Sequence, residues 1–333
     1  MNMQIAASAP GKLVLSGEYA VLDGAPAICL AVDRRARVTV ERHDGEISTV
    51  RAPGHTQITG RFDVRQGGVR WKDGAEAFAL VDAVLRISNV SKSEALTIEL
   101  DTRDFVDSAT DQKLGIGSSA AATVALCAAL LETDDRVSIL NAARRAHAEL
   151  QGGVGSGVDI ACSLYGGLIA YRTEGSVATG VAWPQGLCYR FVWSGVAAST
   201  RDRLRQLDSA VSRPSRVRLA SAAEDIADAW QSGSAEAVLS GYRNYTERLR
   251  EFSEEHDLGI FDSGHDEVWR EASSRGFIYK PCGAGGGDVG VLLGEDETEL
   301  ESLLGTLPPA YSTFDCRKSD AGLSLQCRSP ESA

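Results

Sequence analysis

Apolar positions recur along this chain in two rhythms, and each change of rhythm predicts a new element. Within Val137–Leu150, Leu140, Ala143, Ala146 and Leu150 fall at three- or four-residue steps, which places an apolar stripe on one face of a helix. Helices are also expected at Phe78–Arg86 and Ala120–Leu131, then at Val217–Trp230, Glu236–Phe252 and His265–Ser274. Alternating or short apolar runs bounded by turn residues predict strands around Lys12–Ser16, Arg37–Glu41, Ala95–Leu100, Gly166–Tyr171, Tyr189–Trp193 and Val289–Leu293. Ala9-Pro10-Gly11 and Asp23-Gly24 supply turn chemistry near the start. A mixed sheet followed by a helix-rich half with its own small sheet predicts an α+β chain in two lobes. Thr173, Gly175, Ser176, Gly180, Pro184 and Gly186 break the pattern, so the boundary is expected within 172–186 and the lobes are taken as residues 1–175 and 176–333.

Composition narrows the class. The chain has 333 residues, 43% hydrophobic and 24% charged, enough for a sizeable core. Its 46 acidic against 34 basic side chains give a net charge of −12, which disfavours a nucleic-acid or anionic-membrane surface. A small pocket of backbone amides and one or two lysines still binds anions against that global charge. Seven cysteines without any C-x-x-C pair argue against a zinc site or a disulfide framework, and a reducing cytoplasm suits them. Met1–Ala9 lacks the basic and apolar regions of a secretory leader, and Ala120–Leu131 falls short of the roughly 18 residues a membrane span needs. A soluble cytoplasmic protein, monomer or homodimer, is expected.

Three glycine-rich segments carry the chemistry. Gly115-Ile116-Gly117-Ser118-Ser119-Ala120-Ala121-Ala122 runs from a turn into a small-residue helix beginning near Ser118 or Ser119. Such a turn aims backbone amides, and the positive end of the helix dipole, at an anion. Gly152–Asp159 and Gly283–Asp288 are further turns of this kind. Gly115-x-Gly117-x-x-Ala120 loosely satisfies a dinucleotide fingerprint, with Asp134 or Asp135 near the acidic position. However, Thr110-Asp111-Gln112-Lys113 precedes it where an apolar strand is required, and no G-x-x-x-x-G-K-[ST] occurs. One turn alone reads equally well as tight packing at a helix start; three in order point to phosphate handling.

Two of these turns, taken with the segment around Lys12, resemble the three motifs of the GHMP small-molecule kinases, named for galactokinase, homoserine kinase, mevalonate kinase and phosphomevalonate kinase. The first runs from Ala9 through Lys12 and Gly17-Glu18-Tyr19 to Leu22, the second from Lys113 to Ala121, and the third from Lys280 to Asp288. Four details are most similar to the phosphomevalonate kinase branch: Gly17-Glu18-Tyr19, the Ala146–Asp159 segment with His147, Gln151 and Ser156-Gly157-Val158-Asp159, the Ala198-Ser199-Thr200 stretch, and the long third motif. Val158 and Val289 depart from the residues common there, an aromatic residue and a cysteine, without removing a polar group.

The resemblance implies a two-domain fold, with an N-terminal lobe like ribosomal protein S5 domain 2 and a ferredoxin-like C-terminal lobe. It implies ATP and Mg²⁺ as cofactors and mevalonate 5-phosphate as the small-molecule partner, within isoprenoid precursor synthesis. Lys12 and Asp159 take the catalytic roles, paired with each other; Lys113, Gly115, Gly117, Ser118, Ser119 and Ala120 take ATP, with Ser119 on the metal. Lys12, Tyr19, Ser156, Gly157, Ser199, Thr200, Lys280, Gly285 and Gly286 are expected around the acceptor. A mevalonate kinase or another kinase with a hydroxyl acceptor is the rival reading, a diphosphomevalonate decarboxylase a weaker one, and a non-catalytic ligand-binding regulator the third.

Overall fold

The computed structural model describes residues 4–65, 68–88, 90, 95–108, 110–153, 155–198, 203, 207, 214–308, 310–314 and 316–328. Strands β1 (Gln4–Ser16) and β2 (Ala27–His43) form a long antiparallel pair in which Lys12 faces Ala31 across the register. The outer half of β1 alternates between buried and partly exposed residues, whereas everything from Ala9 onward is buried. One strand thus begins as a half-covered surface and ends inside the core, carrying Lys12 with it. The register shifts at Pro10/Gly11, where proline has no amide to give the ladder.

Further strands are β3 (Ser48–Arg51), β4 (Thr59–Arg65), β5 (Gly68–Asp73), β6 (Ala95–Asp101), β7 (Leu168–Arg172), β8 (Val177–Gly180), β9 (Cys188–Trp193), β10 (Ile278–Pro281), β11 (Val289–Gly294), β12 (Ser312–Thr313) and β13 (Ser324–Arg328). Among the described residues they make two sheets. The larger has the order β13-β1-β2-β6-β3-β4-β5, with β7 and β8 added beside β2; the smaller is β10-β11-β9-β12. β8 and β13 belong to the larger sheet although both lie in the segment 176–333 that the sequence pattern gives to the second lobe.

Helices α1 (Ala79–Ile87), α2 (Ser118–Leu131), α3 (Arg136–Leu150) and α4 (Val158–Tyr165) cover the larger sheet. α2 lies on β1 and β2 beneath α1, α3 and α4, and all its residues from Ala120 to Leu130 are buried. A helix apolar on every side belongs in the interior, and its alanines permit close approach. α3 starts where Asp135 accepts the Val137 and Ser138 amides, an N-cap worth about 1 kcal/mol. In the second half, helices Pro214–Ser232 and Ala235–Glu255 pair and pack toward β1, while His265–Ser274 lies on β10 and Glu297–Leu304 on β11. The α+β class and every helix expected from periodicity are present, each within three residues of its expected ends. Among the described residues no helix is long and apolar enough to cross a membrane.

Candidate active site

The end of β1, in the first motif segment, is the point at which the second and third motif segments meet it. The Lys12 amide donates to the Ile116 carbonyl at 2.8 Å, pinning the strand to the second segment. Gly117 has φ +84°, and a Cβ there would lie 2.8 Å from Lys12 Cε, so only glycine lets the lysine stem pass. At Gly115 a Cβ would fall 2.2 Å from the Asp288 carboxyl carbon, which brings the third segment against the second. The Tyr19 hydroxyl closes the triangle by donating to the Ala284 carbonyl at 2.7 Å.

Lys12 and Asp159 form an ion pair at 3.1 Å, with side chains 11% and 28% exposed. Asp159 sits in the first turn of α4, delivered by Gly157 in the left-handed region at φ +79°. Burial works against the Lys12 ammonium, but the charge and hydrogen bond of Asp159, joined by Cys29 and Cys162, outweigh it together, and the lysine's pKa lies above its ordinary value. The pair opens on a cleft whose walls include Glu18, Tyr19, His147, Ser156 and Ala284. Burial lowers the pKa of His147, and the neighbouring Asp159 and Lys12 act in opposite senses on it. Asp288 is held above the usual carboxylate range by burial, against the Ala198 amide, Lys12 and Arg203.

Other expected residues divide by position. α2 starts at Ser118, with Gly117 at its N-cap, Ser119 exposed in its first turn and Ala120 buried beneath. Exposed Lys113 reaches His55, Nζ to Nδ1 at 3.4 Å. The Ser156 hydroxyl accepts the Val158 amide at 3.3 Å, a local bond at the start of α4 that leaves the residue on the cleft wall. Ser199 and Thr200 lie outside the described residues; the Ala198 amide just before them donates to Asp288 Oδ1 at 3.1 Å. Gly285 and Gly286 are buried against Ile260 rather than lining the cleft, where Gly283 and Ala284 stand instead.

Lys280 departs from expectation. Its ammonium points into the interior, fully buried, and donates to Glu18 Oε1 at 2.5 Å. Glu18 Oε2 in turn accepts the Tyr245 hydroxyl at 2.7 Å. A lysine satisfied in this way presents no charge to an acceptor's phosphate or carboxylate. Glu18, Gln151 and Asp288 are site residues that the sequence reading left without a role, though each lies in a segment it singled out.

Comparison with known proteins bears on the family. The profile described as GHMP kinases N terminal domain matches residues 78–167, the stretch that holds the second segment and Asp159. Phosphomevalonate kinase of Streptomyces sp. (strain CL190) is 31% identical, with 88% of this chain and 90% of that protein aligned. Mevalonate kinase of Archaeoglobus fulgidus is 28% identical over 84% of this chain and 89% of its own. Among solved structures, Streptococcus pneumoniae phosphomevalonate kinase in complex with phosphomevalonate and AMPPNP superposes with a TM-score of 0.77 at 16% identity, covering 94% of this chain and 99% of that one. Three motifs meeting at one lysine, a matching profile and a relative aligned over nearly its whole length carry the same conclusion: this chain belongs to the GHMP kinase family.

Proposed function

We propose that this kinase transfers the γ-phosphoryl group of ATP to mevalonate 5-phosphate, giving mevalonate 5-diphosphate. The observation that carries the reading is the Lys12–Asp159 pair opening on a cleft where all three segments meet. Phosphoryl transfer asks a protein mainly for positioning and for charge stabilisation at the transferring oxygens. In this reading the Gly115–Ser119 turn and the N-terminus of α2 hold the β- and γ-phosphates. Ser119, exposed in the first turn, offers a hydroxyl to Mg²⁺, an ion that prefers oxygen and keeps several waters. When bound, Mg²⁺ supplies neutralisation of the nucleotide's phosphate charge.

Lys12 stays cationic beside Asp159 and meets the charge on the transferring group. A phosphate acceptor has a second pKa near 6, so its attacking oxygen is already largely ionised at pH 7 and needs no strong base. Asp159 is then the group that orients Lys12. The acceptor assignment is supported by the 31% identical phosphomevalonate kinase, and ATP use by the AMPPNP named with the pneumococcal structure. A hydroxyl acceptor is the second reading, favoured by the mevalonate kinase relative, and there Asp159 would serve as base. Coupled ADP release with mevalonate 5-phosphate, mevalonate, homoserine and galactose decides between them. The proposal expects the first to be turned over with the highest kcat/KM. Preference for mevalonate would replace it with the rival, and silence with all four while nucleotide binds would indicate a regulator.

A further inference from the structure

Beside the cleft lies a second cavity of about 350 Å³, walled by Asn141, Arg144 and Arg145 of α3 and by residues of the turn leading into α4. His147, Gln151, Gly155 and Gly157 line both spaces, so the two adjoin across shared walls. Arg144 lies directly over that turn: a Cβ on Gly157 would sit 2.5 Å from its Nε. Its guanidinium also donates to the Ser176 hydroxyl. Arginines of this acidic chain such as Arg172, Arg190 and Arg216 are matched with carboxylates, yet among the described residues Arg144 and Arg145 have no ion-pair partner. Two unmatched guanidinium groups therefore face a concavity next to the reacting pair.

We propose that this arginine-walled cavity seats the carboxylate of the acceptor, at the end of its carbon chain remote from Lys12. The inference rests on the proposed mevalonate-type acceptor, whose two charged groups lie at opposite ends. With the phosphate at Lys12 and Asp159, the carboxylate must enter a second concave region and lose water there. That is tolerable only where cations replace the water, and the planar guanidinium fork matches a carboxylate's two oxygens.

The test is a cycle between ligand charge and side chain. Binding of mevalonate 5-phosphate and of its primary amide, which lacks the carboxylate charge, is measured by calorimetry for wild type, Arg145→Ala, Arg145→Lys and Arg144→Ala/Arg145→Ala. Wild type should bind the acid roughly tenfold or more tightly than the amide. Arg145→Ala should shrink that ratio, Arg145→Lys should restore part of it, and the double variant should abolish it with ATP affinity unchanged. Equal weakening of acid and amide, or no change in either, would overturn the proposal; Arg145 is exposed, so its single variants read the effect even if the double variant fails to fold. If mevalonate 5-phosphate is not the acceptor but mevalonate binds, the phosphoryl-acceptor reading fails alone, and the same cycle with mevalonate and its amide decides the carboxylate seat. Failure of wild type to bind either acid overturns the seat as well.

Discussion

Two lysine–carboxylate pairs sit close together in this molecule and differ in nearly everything but chemistry. Lys12 and Asp159 meet at 3.1 Å with side chains 11% and 28% exposed, whereas Lys280 and Glu18 meet at 2.5 Å with 0% and 3%. The first joins β1 to α4 across an open cleft; the second joins the first glycine segment to β10 in the interior. Both oxygens of Glu18 are engaged, one by Lys280 and one by Tyr245, while Lys12 keeps a side toward solvent where a phosphate oxygen can approach. A buried pair returns in attraction about what desolvation costs, so its value lies in fixing one arrangement. An open pair holds a charge in place without using up all its hydrogen-bonding capacity. The contrast teaches that accessibility and spare coordination, not residue type, separate a lysine placed to react, as proposed for Lys12, from a fastening one.

Removing each lysine should break the comparison in opposite ways. Lys12→Met should lower turnover roughly a thousandfold, about 4 kcal/mol of transition-state stabilisation, with nucleotide affinity changed only a few-fold. Turnover close to wild type in steady-state assays would remove Lys12 from the chemistry. Lys280→Met should instead cost about 3 kcal/mol of stability in urea unfolding, because it strands the Glu18 carboxylate in the interior. Glu18→Gln/Lys280→Met should recover most of that loss, since no lone charge remains buried. A double variant no more stable than the single one would mean that the pair's geometry, rather than its charge, holds β10 in place.

What the sequence disclosed of this arrangement was local, and what it hid was distant. Gly115 and Gly117 announced a close approach because their left-handed backbone is a property of the residue itself. Val137–Leu150 announced a helix because its period lies within a single turn or two. By contrast, Glu18 and Lys280 are 262 residues apart, and Lys280 beside Pro281 reads as an available cation until its partner is seen. β13 pairs with β1 from the other end of the chain, with Ile5 facing Cys327, and no local pattern announces a partner so remote. β3, β4 and β5 are short and carry Arg51, Arg61, Asp63 and Arg70, so their apolar alternation is faint. α4, which delivers Asp159, has eight residues directly behind a glycine run and gives too few turns for a period to emerge.

Asp159→Asn sharpens the contrast by leaving the open lysine without its partner. Burial disfavours the Lys12 ammonium and the Asp159 carboxylate is the foremost of the groups that offset it, so removing the carboxylate should bring the lysine's pKa down. The sign follows: in wild type the raised folded pKa keeps Lys12 charged, its contribution to stability present below the unfolded value near 10.4 and lost as pH rises through the higher folded one. In the variant, turnover should be down roughly tenfold to a hundredfold at neutral pH and should fall further in the alkaline range where wild type stays level. ATP affinity should hold. A parallel pH–rate profile, or loss of nucleotide binding instead, would contradict an orienting role for Asp159.

The smallest effect is expected at Tyr19, which lies between the two pairs in position and in character. It follows Glu18 in sequence, lines the cleft, and donates its hydroxyl to Ala284 in the third segment. Its ring packs 5.3 Å from Phe252, and its backbone is held at φ +61°, a conformation that a non-glycine residue adopts only when its surroundings fix it. Tyr19→Phe keeps the ring and the backbone but deletes one hydrogen bond, so stability should fall by about 1 kcal/mol, with the Ala284 carbonyl left facing the cleft where water reaches it. If Tyr19 only fastens the third segment, the acceptor KM should rise a few-fold while kcat holds. A fall in kcat as large as that of Asp159→Asn, without a change in unfolding midpoint, would place the phenol among the groups that act on the transferring phosphoryl. The line between fastening and reacting residues would then run through this hydroxyl rather than between the two lysines.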